Sequence, residues 1–201
     1  MRTTLPAISM IFLAVLPNAT TAQDVEPSCN MCSATYVGSE EFQEYLEISR
    51  AAPPMTFNRI DQQVRSLDIG KSNVQVAILH RGRMERPGGV AEHSLVTEIY
   101  YVLSGSATNV TGPDLVDPVP RPSTMETVQR LNGPGHNAAD IRNSQTVELK
   151  AGDVLVIPAG TGHQFTRIDD HITYLMIRVD PDKVVPLMDE AASRAYLEEV
   201  R

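Results

Sequence analysis

The chain has 201 residues, 42% of them hydrophobic and 21% charged, enough for one globular domain with a sizeable core. Lys and Arg number 17 against 25 Asp and Glu, a formal net charge of −8. That balance argues against nucleic acid and against anionic membrane surfaces as partners, since both are held by clustered basic side chains.

Residues 1–22, MRTTLPAISMIFLAVLPNATTA, carry one early Arg2, an apolar run from Ile8 to Leu16 and small residues up to Ala22. This is the layout of a secretory signal peptide. The run is too short to span a bilayer as a permanent helix, and no other stretch is apolar enough to do so. The expected mature protein is therefore exported, periplasmic or secreted. Losing Arg2 leaves 16 basic against 25 acidic residues, a net charge of −9. The two cysteines, Cys29 and Cys32, follow closely in SCNMC. An oxidising compartment favours a local disulfide between them. The alternatives, a redox or a metal-binding CxxC, lack the βαβ setting of the first and the second cysteine pair of the other.

Residues 23–72 read as an N-terminal extension with short helices. Glu40 to Ala52 places Phe42, Leu46 and Ile48 near one face, with Ser39 as a plausible N-cap and Pro53-Pro54 as the stop. Phe57 to Leu67 predicts a second helical stretch, ended by Gly70. From Asn73 the texture changes to short runs rich in Val, Ile, Thr and Tyr, punctuated by Gly and Pro. That is the pattern of an antiparallel sandwich or barrel, expected over residues 73–182. Gly112 to Ser144 carries five prolines and little periodicity, long for a structureless loop, so it is functional or partly extended. Residues 183–201 close the chain with an amphipathic helix, Pro186 to Glu199.

Three side chains in the barrel region combine metal-ligating chemistry with suggestive placement. His93 and Glu98 are five apart, so on one straight strand they would face opposite ways. They converge if the chain turns between Ser94 and Thr97, so that one ends a strand and the other begins the next. His163 arrives from another hairpin, after the turn PAGTG. Two imidazoles and a carboxylate suit a divalent transition metal and leave coordination positions open. A buried Glu98 also needs some partner to offset its desolvation.

These residues carry a family resemblance. H-x4-E-x6-G, made by His93, Glu98 and Gly105, resembles the first motif of the cupin superfamily without its leading histidine, a position held by Ala91. G-x5-P-x-G-x2-H, made by Gly152, Pro158, Gly160 and His163, matches the second cupin motif at every defining position. The resemblance covers roughly Asn73 to Asp180. It implies an all-β fold, a cupin-type antiparallel β-barrel (jelly roll) with short peripheral helices at both ends, forming one cupin unit. It also implies a metal held by His93, Glu98 and His163, with Fe, Mn, Ni, Cu or Zn all compatible. A fourth ligand would be absent, replaced by water, or supplied by His80 or His136. Cupins of this size often pair as homodimers, which also hides open strand edges.

Tyr100 shares the face of Glu98 by parity and is a candidate acid, base or substrate donor, while Tyr101 should face outward. His136 sits in NGPGHN and becomes a candidate base or extra ligand if that segment folds over the barrel mouth; otherwise it is an exposed loop histidine. His171 reads as a surface residue. Asn109 heads an NVT glycosylation sequon, relevant in a eukaryotic host. Two functions follow: a metal-dependent enzyme acting on a small metabolite by oxygenase, isomerase or lyase chemistry, or a non-catalytic cupin that binds a small ligand.

Overall fold

A computed structural model describes residues 26–29, 32–51 and 61–200. The signal-peptide reading falls outside these residues. Within them, Cys29 and Cys32 form the local disulfide.

Helix α1 spans Ser39–Ala51, where the sequence predicted a helix over Glu40 to Ala52, with Glu40 and Glu41 in the first turn, where carboxylates favour the helix dipole. It lies on the outer face of the first two strands, β1 (Asp61–Asp68) and β2 (Asn73–Met84). Tyr45 and Leu46 pack there with Val64, Ile78 and Leu197. Beside them Arg65 donates to both oxygens of the buried Glu41 at 2.8 and 3.0 Å. Each fully buried apolar side chain contributes about 1.5–3 kcal/mol, so this apolar contact anchors the helix.

The rest is β structure: β3 (Val90–His93), β4 (Thr97–Gly112), β5 (Asp114–Val116), β6 (Val119–Pro120), β7 (Gly135–Ala138), β8 (Asp140–Arg142), β9 (Gln145–Lys150), β10 (Val154–Ile157) and β11 (Gly162–Asp180). A π-helical turn, Val128–Asn132, interrupts the proline-rich segment, and helix α2, Glu190–Val200, closes the chain. All described strand pairs are antiparallel. β1, β2, β11, β3, β7 and β6 run in that order, and β4 joins β11, β9 and β10. The two longest strands, β4 and β11, bend through register shifts near Gly105 and between Arg167 and Ile172, and so pass from one side of the barrel to the other. Among the described residues no helix is long and apolar enough to cross a membrane.

The helical reading of Phe57 to Leu67 is corrected here: Asp61–Asp68 is a strand, paired along its length with β2. A register shift between Gln63 and Arg65 breaks the two-residue alternation. Its inner face carries polar Asp61, Gln63 and Ser66, and its outer face is covered by α1, so the sequence shows no apolar-in, polar-out signal. The Gly112 to Ser144 segment is partly extended, with β5 to β8 inside it.

Cross-strand partners share a face, and two inner rows define the interior. Ser66, Gln75, Arg178, Glu98 and Ile157 follow one another across β1, β2, β11, β4 and β10. Below them run Gln63, Ala77, Met176, Tyr100 and Leu155. The first row is largely polar and belongs to the site; deeper rows merge into the core with Leu79, Val102, Phe165, Ile172 and Tyr174.

Candidate metal centre

His93 is the last residue of β3, and Glu98 the second of β4; the turn predicted between them is present. His163 is the second residue of β11 and stands opposite Ala91 in register. Gly160 holds the hairpin before it: its φ of 82° lies in the left-handed region that glycine adopts without strain. Its amide donates to the His93 carbonyl at 2.8 Å, tying the two motifs together.

The three side chains are buried, and one ligand atom from each lies within 4.8 Å of the others. His93 Nε2 is 3.4 Å from Glu98 Oε1, and His163 Nε2 is 3.5 Å from Glu98 Oε2. The imidazole rings are tilted by 52° with centroids 5.1 Å apart. His80 and His136 are not part of this cluster. His80 bonds Thr173 Oγ1 and stacks on His171, which is itself partly exposed. His136 lies on β7 opposite Glu92, where its ring and its amide both meet Glu92 Oε2, at 2.8 and 3.0 Å. That pair shares a strand face alternate to His93, and the hydrogen bonds of His136 go to Glu92.

Glu98 has two protein partners, Tyr100, whose face parity gave, and Arg178, which the sequence did not reveal. Arg178 Nε donates to Oε1 at 3.0 Å and the Tyr100 hydroxyl to Oε2 at 2.8 Å. Arg178 also bonds Asp61 and, at 3.4 Å, Gln63. Burial by itself would raise the Glu98 carboxyl, but His93, Arg178 and His163 outweigh it and hold Glu98 ionised well below the usual carboxylate range. Burial pushes the His93 imidazole down to about 3, with Glu98 opposing, so the ring is neutral at ordinary pH. Burial and the adjacent Glu98 charge raise Tyr100 well above its usual value, so it holds its proton as a donor.

Tautomers decide how well the cluster suits a metal. His163 Nδ1 meets the Thr161 carbonyl at 3.2 Å. A carbonyl only accepts, so Nδ1 carries the proton and Nε2 presents its lone pair to the cluster. His93 is different: its Nδ1 faces Arg121 Nη2 at 2.9 Å. A guanidinium only donates, so this contact places the proton of neutral His93 on Nε2, toward Glu98. Metal ligation through Nε2 requires Arg121 to release Nδ1, and it keeps a second acceptor in the Glu92 carbonyl. With that adjustment the donor set fits a divalent transition metal. Gly135, the partner of His93 in register, makes room for the arginine: a Cβ there would collide with Arg121 Nη2 and the Glu92 carbonyl.

The profile of the AraC-like ligand-binding domain matches residues 142–200. A search of curated proteins returns no match. Among solved structures, a protein of Bacillus halodurans is similar at 14% identity and TM-score 0.42, over 81% of this chain and 95% of that one. A cupin-2 domain protein of Shewanella frigidimarina aligns at 14% identity and TM-score 0.36, over 65% and 86%. The DMSP lyase DddQ of Ruegeria pomeroyi aligns at 13% identity and TM-score 0.40, over 70% and 57%. An antiparallel barrel that brings the residues of both motifs to one interior cluster, with the domain match over residues 142–200, agrees with the resemblance of this chain to the cupin superfamily.

Proposed function

We propose that the protein is an exported, metal-dependent cupin enzyme acting on a small metabolite, with His93, Glu98 and His163 as the metal ligands. The observation that carries this reading is their convergence, buried and within 4.8 Å, from three different strands. A divalent transition metal bound there would supply Lewis-acid polarisation of a substrate oxygen or, if iron, dioxygen chemistry. The protein's own groups have separate tasks. Arg178 fixes the rotamer of Glu98 from behind, and Thr161 fixes the tautomer of His163. Tyr100 holds a proton at its hydroxyl, 2.8 Å from Glu98, ready to be shared with a reacting oxygen. The signal-peptide layout and the Cys29–Cys32 disulfide support export. An exposed apolar stripe on β4 and β10 supports a homodimer.

A non-catalytic ligand-binding cupin is the second reading. Arg178 and Tyr100 already satisfy Glu98, so the cluster is stable as protein alone, and the AraC-like match is to a domain described as ligand-binding. Elemental analysis separates the two, using protein purified without chelator or His-tag beside a His93→Ala/His163→Ala variant. The expected result is near one equivalent of Fe, Mn, Ni, Cu or Zn, lost in the variant. No metal in the wild type, even after reconstitution, would overturn the enzyme reading in favour of the binder.

A further inference from the structure

Two arginines reach the barrel interior from β11 and β2, the buried Arg178 and the partly exposed Arg81, and carboxylates bond only Arg178. Arg178 is bonded to both Asp61 and Glu98. Arg81 stands on β2 opposite Ile172 of β11, on the same inner face as Gln75, Ala77 and Leu79. Its Nε donates to the Tyr174 hydroxyl at 3.0 Å, and its guanidinium carbon lies 5.3 Å from the centre of the Phe165 ring. Among the described residues no carboxylate is within ion-pair distance of Arg81, and its two terminal nitrogens make no hydrogen bond. The charge of Asp61 acts on Arg81, but the hydrogen bond of Asp61 goes to Arg178.

Asn109 supplies an independent observation. It lies opposite Phe165 in register, is fully buried, and neither its amide nitrogen nor its amide oxygen has a hydrogen-bond partner. Leaving a buried polar group unpaired costs about 1–3 kcal/mol, so the Asn109 amide calls for a water, an ion or a ligand as its partner. That burial also removes Asn109 from use as a glycosylation sequon in the folded chain. Arg81 and Asn109 thus approach Phe165 from two different strands. The same interior runs on to the centre: the Tyr174 and Tyr100 rings are 4.6 Å apart, and Tyr100 bonds Glu98.

We propose that Arg81 and Asn109 receive the carboxylate of a small organic acid, whose remaining atoms extend past Phe165 toward the His93–Glu98–His163 centre. The guanidinium fork matches a carboxylate in geometry and charge, and the Asn109 amide donates to one of its oxygens. The direction of the bound acid rests on reading that centre as the reactive end. A divalent cation there, with neutral imidazoles, would leave the interior positive, which an anionic reactant corrects. The carboxylate contact itself stands without the metal.

The test uses metal-free full-length mature protein titrated with propanoate and, separately, with its neutral analogue propanamide, following the arginine Nε–H resonances by NMR. Propanoate should shift the Arg81 resonance saturably. Arg81→Gln should weaken propanoate binding at least about tenfold, the equivalent of a lost charge-assisted hydrogen bond. Propanamide should bind the wild type more weakly than propanoate does. An Arg81 resonance unmoved by propanoate overturns the proposal, and this readout needs no variant to fold. Equal affinity for propanoate in wild type and Arg81→Gln also overturns it. Because no metal is present, failure here leaves the metal reading intact, and a chain without metal in elemental analysis leaves this site intact.

Discussion

Arg178 is fully buried and charged, and sits between Glu98 and Asp61. Removing one member of such a set leaves buried carboxylates without a counter-charge, so Arg178→Met should destabilise the fold by about 3–5 kcal/mol in denaturant unfolding. A loss below about 1 kcal/mol, the range of an exposed pair, would refute the buried network. Sequence reasoning found Glu98 but not this partner, and the reason is distance along the chain: the two are 80 residues apart. Arg121 escaped for the same reason, since its contact with His93 depends on β7 bringing a glycine to the right place. The clustering of His93, Glu98 and His163 was legible because two spaced motifs mark where strands start and stop. Tyr100 was legible by parity alone.

At the scale of elements, β10 is an edge: among the described strands it pairs only with β4. The outer face of this pair exposes Val154 (60%), Val156 (55%), Tyr101 (45%) and Leu103 (45%), too much aligned apolar surface for a strand facing only water. If this stripe is the dimer interface, Val156→Asp should convert the dimer to monomer in sedimentation while the far-ultraviolet circular dichroism stays unchanged. A wild type that sediments as a monomer would refute it. Element-level reading of the sequence found α1 and the closing helix, where apolar residues recur at helical spacing, although the closing helix starts at Glu190 and not at Pro186. It failed at β1, where Phe57, Ile60, Val64 and Leu67 mimic that spacing while a register shift conceals the strand. The strand at His136 was not legible because NGPGHN looks like a free loop, whereas Gly135 to Ala138, His136 among them, form a short ladder against β3.

For the whole molecule, the buried histidine makes stability depend on pH. The His93 imidazole is neutral in the fold down to about 3, while in the unfolded chain it titrates near its ordinary value of about 6.5. Below that value the unfolded chain takes up a proton that the fold refuses, so stability present at neutral pH is lost as pH falls toward 3. Glu98, also lowered, adds a loss of the same sign further down. Calorimetry of the metal-free protein should show the melting temperature falling steadily from pH 7 to pH 4. A flat profile would mean that His93 is not held neutral. The barrel class itself was readable, because strand-rich runs and their glycine and proline punctuation are local features. The polar inner rows were not, since they arise only when β1, β2, β11 and β4 are laid side by side.

The pairing of β4 with β11 has a further consequence, for the order of events in folding. It joins Thr97–Gly112 to Gly162–Asp180, so a long loop must close before either strand gains its partner. Glu98 and His163 stand on these two strands, so the complete cluster exists only once they have paired. Whatever occupies it meets only molecules that have already closed the barrel. Such an occupant leaves the rate of folding untouched and acts as a brake on unfolding. At a hundredfold excess over its dissociation constant it adds about 2.7 kcal/mol to apparent stability. The occupied protein would therefore outlast the empty one by persistence rather than by folding faster.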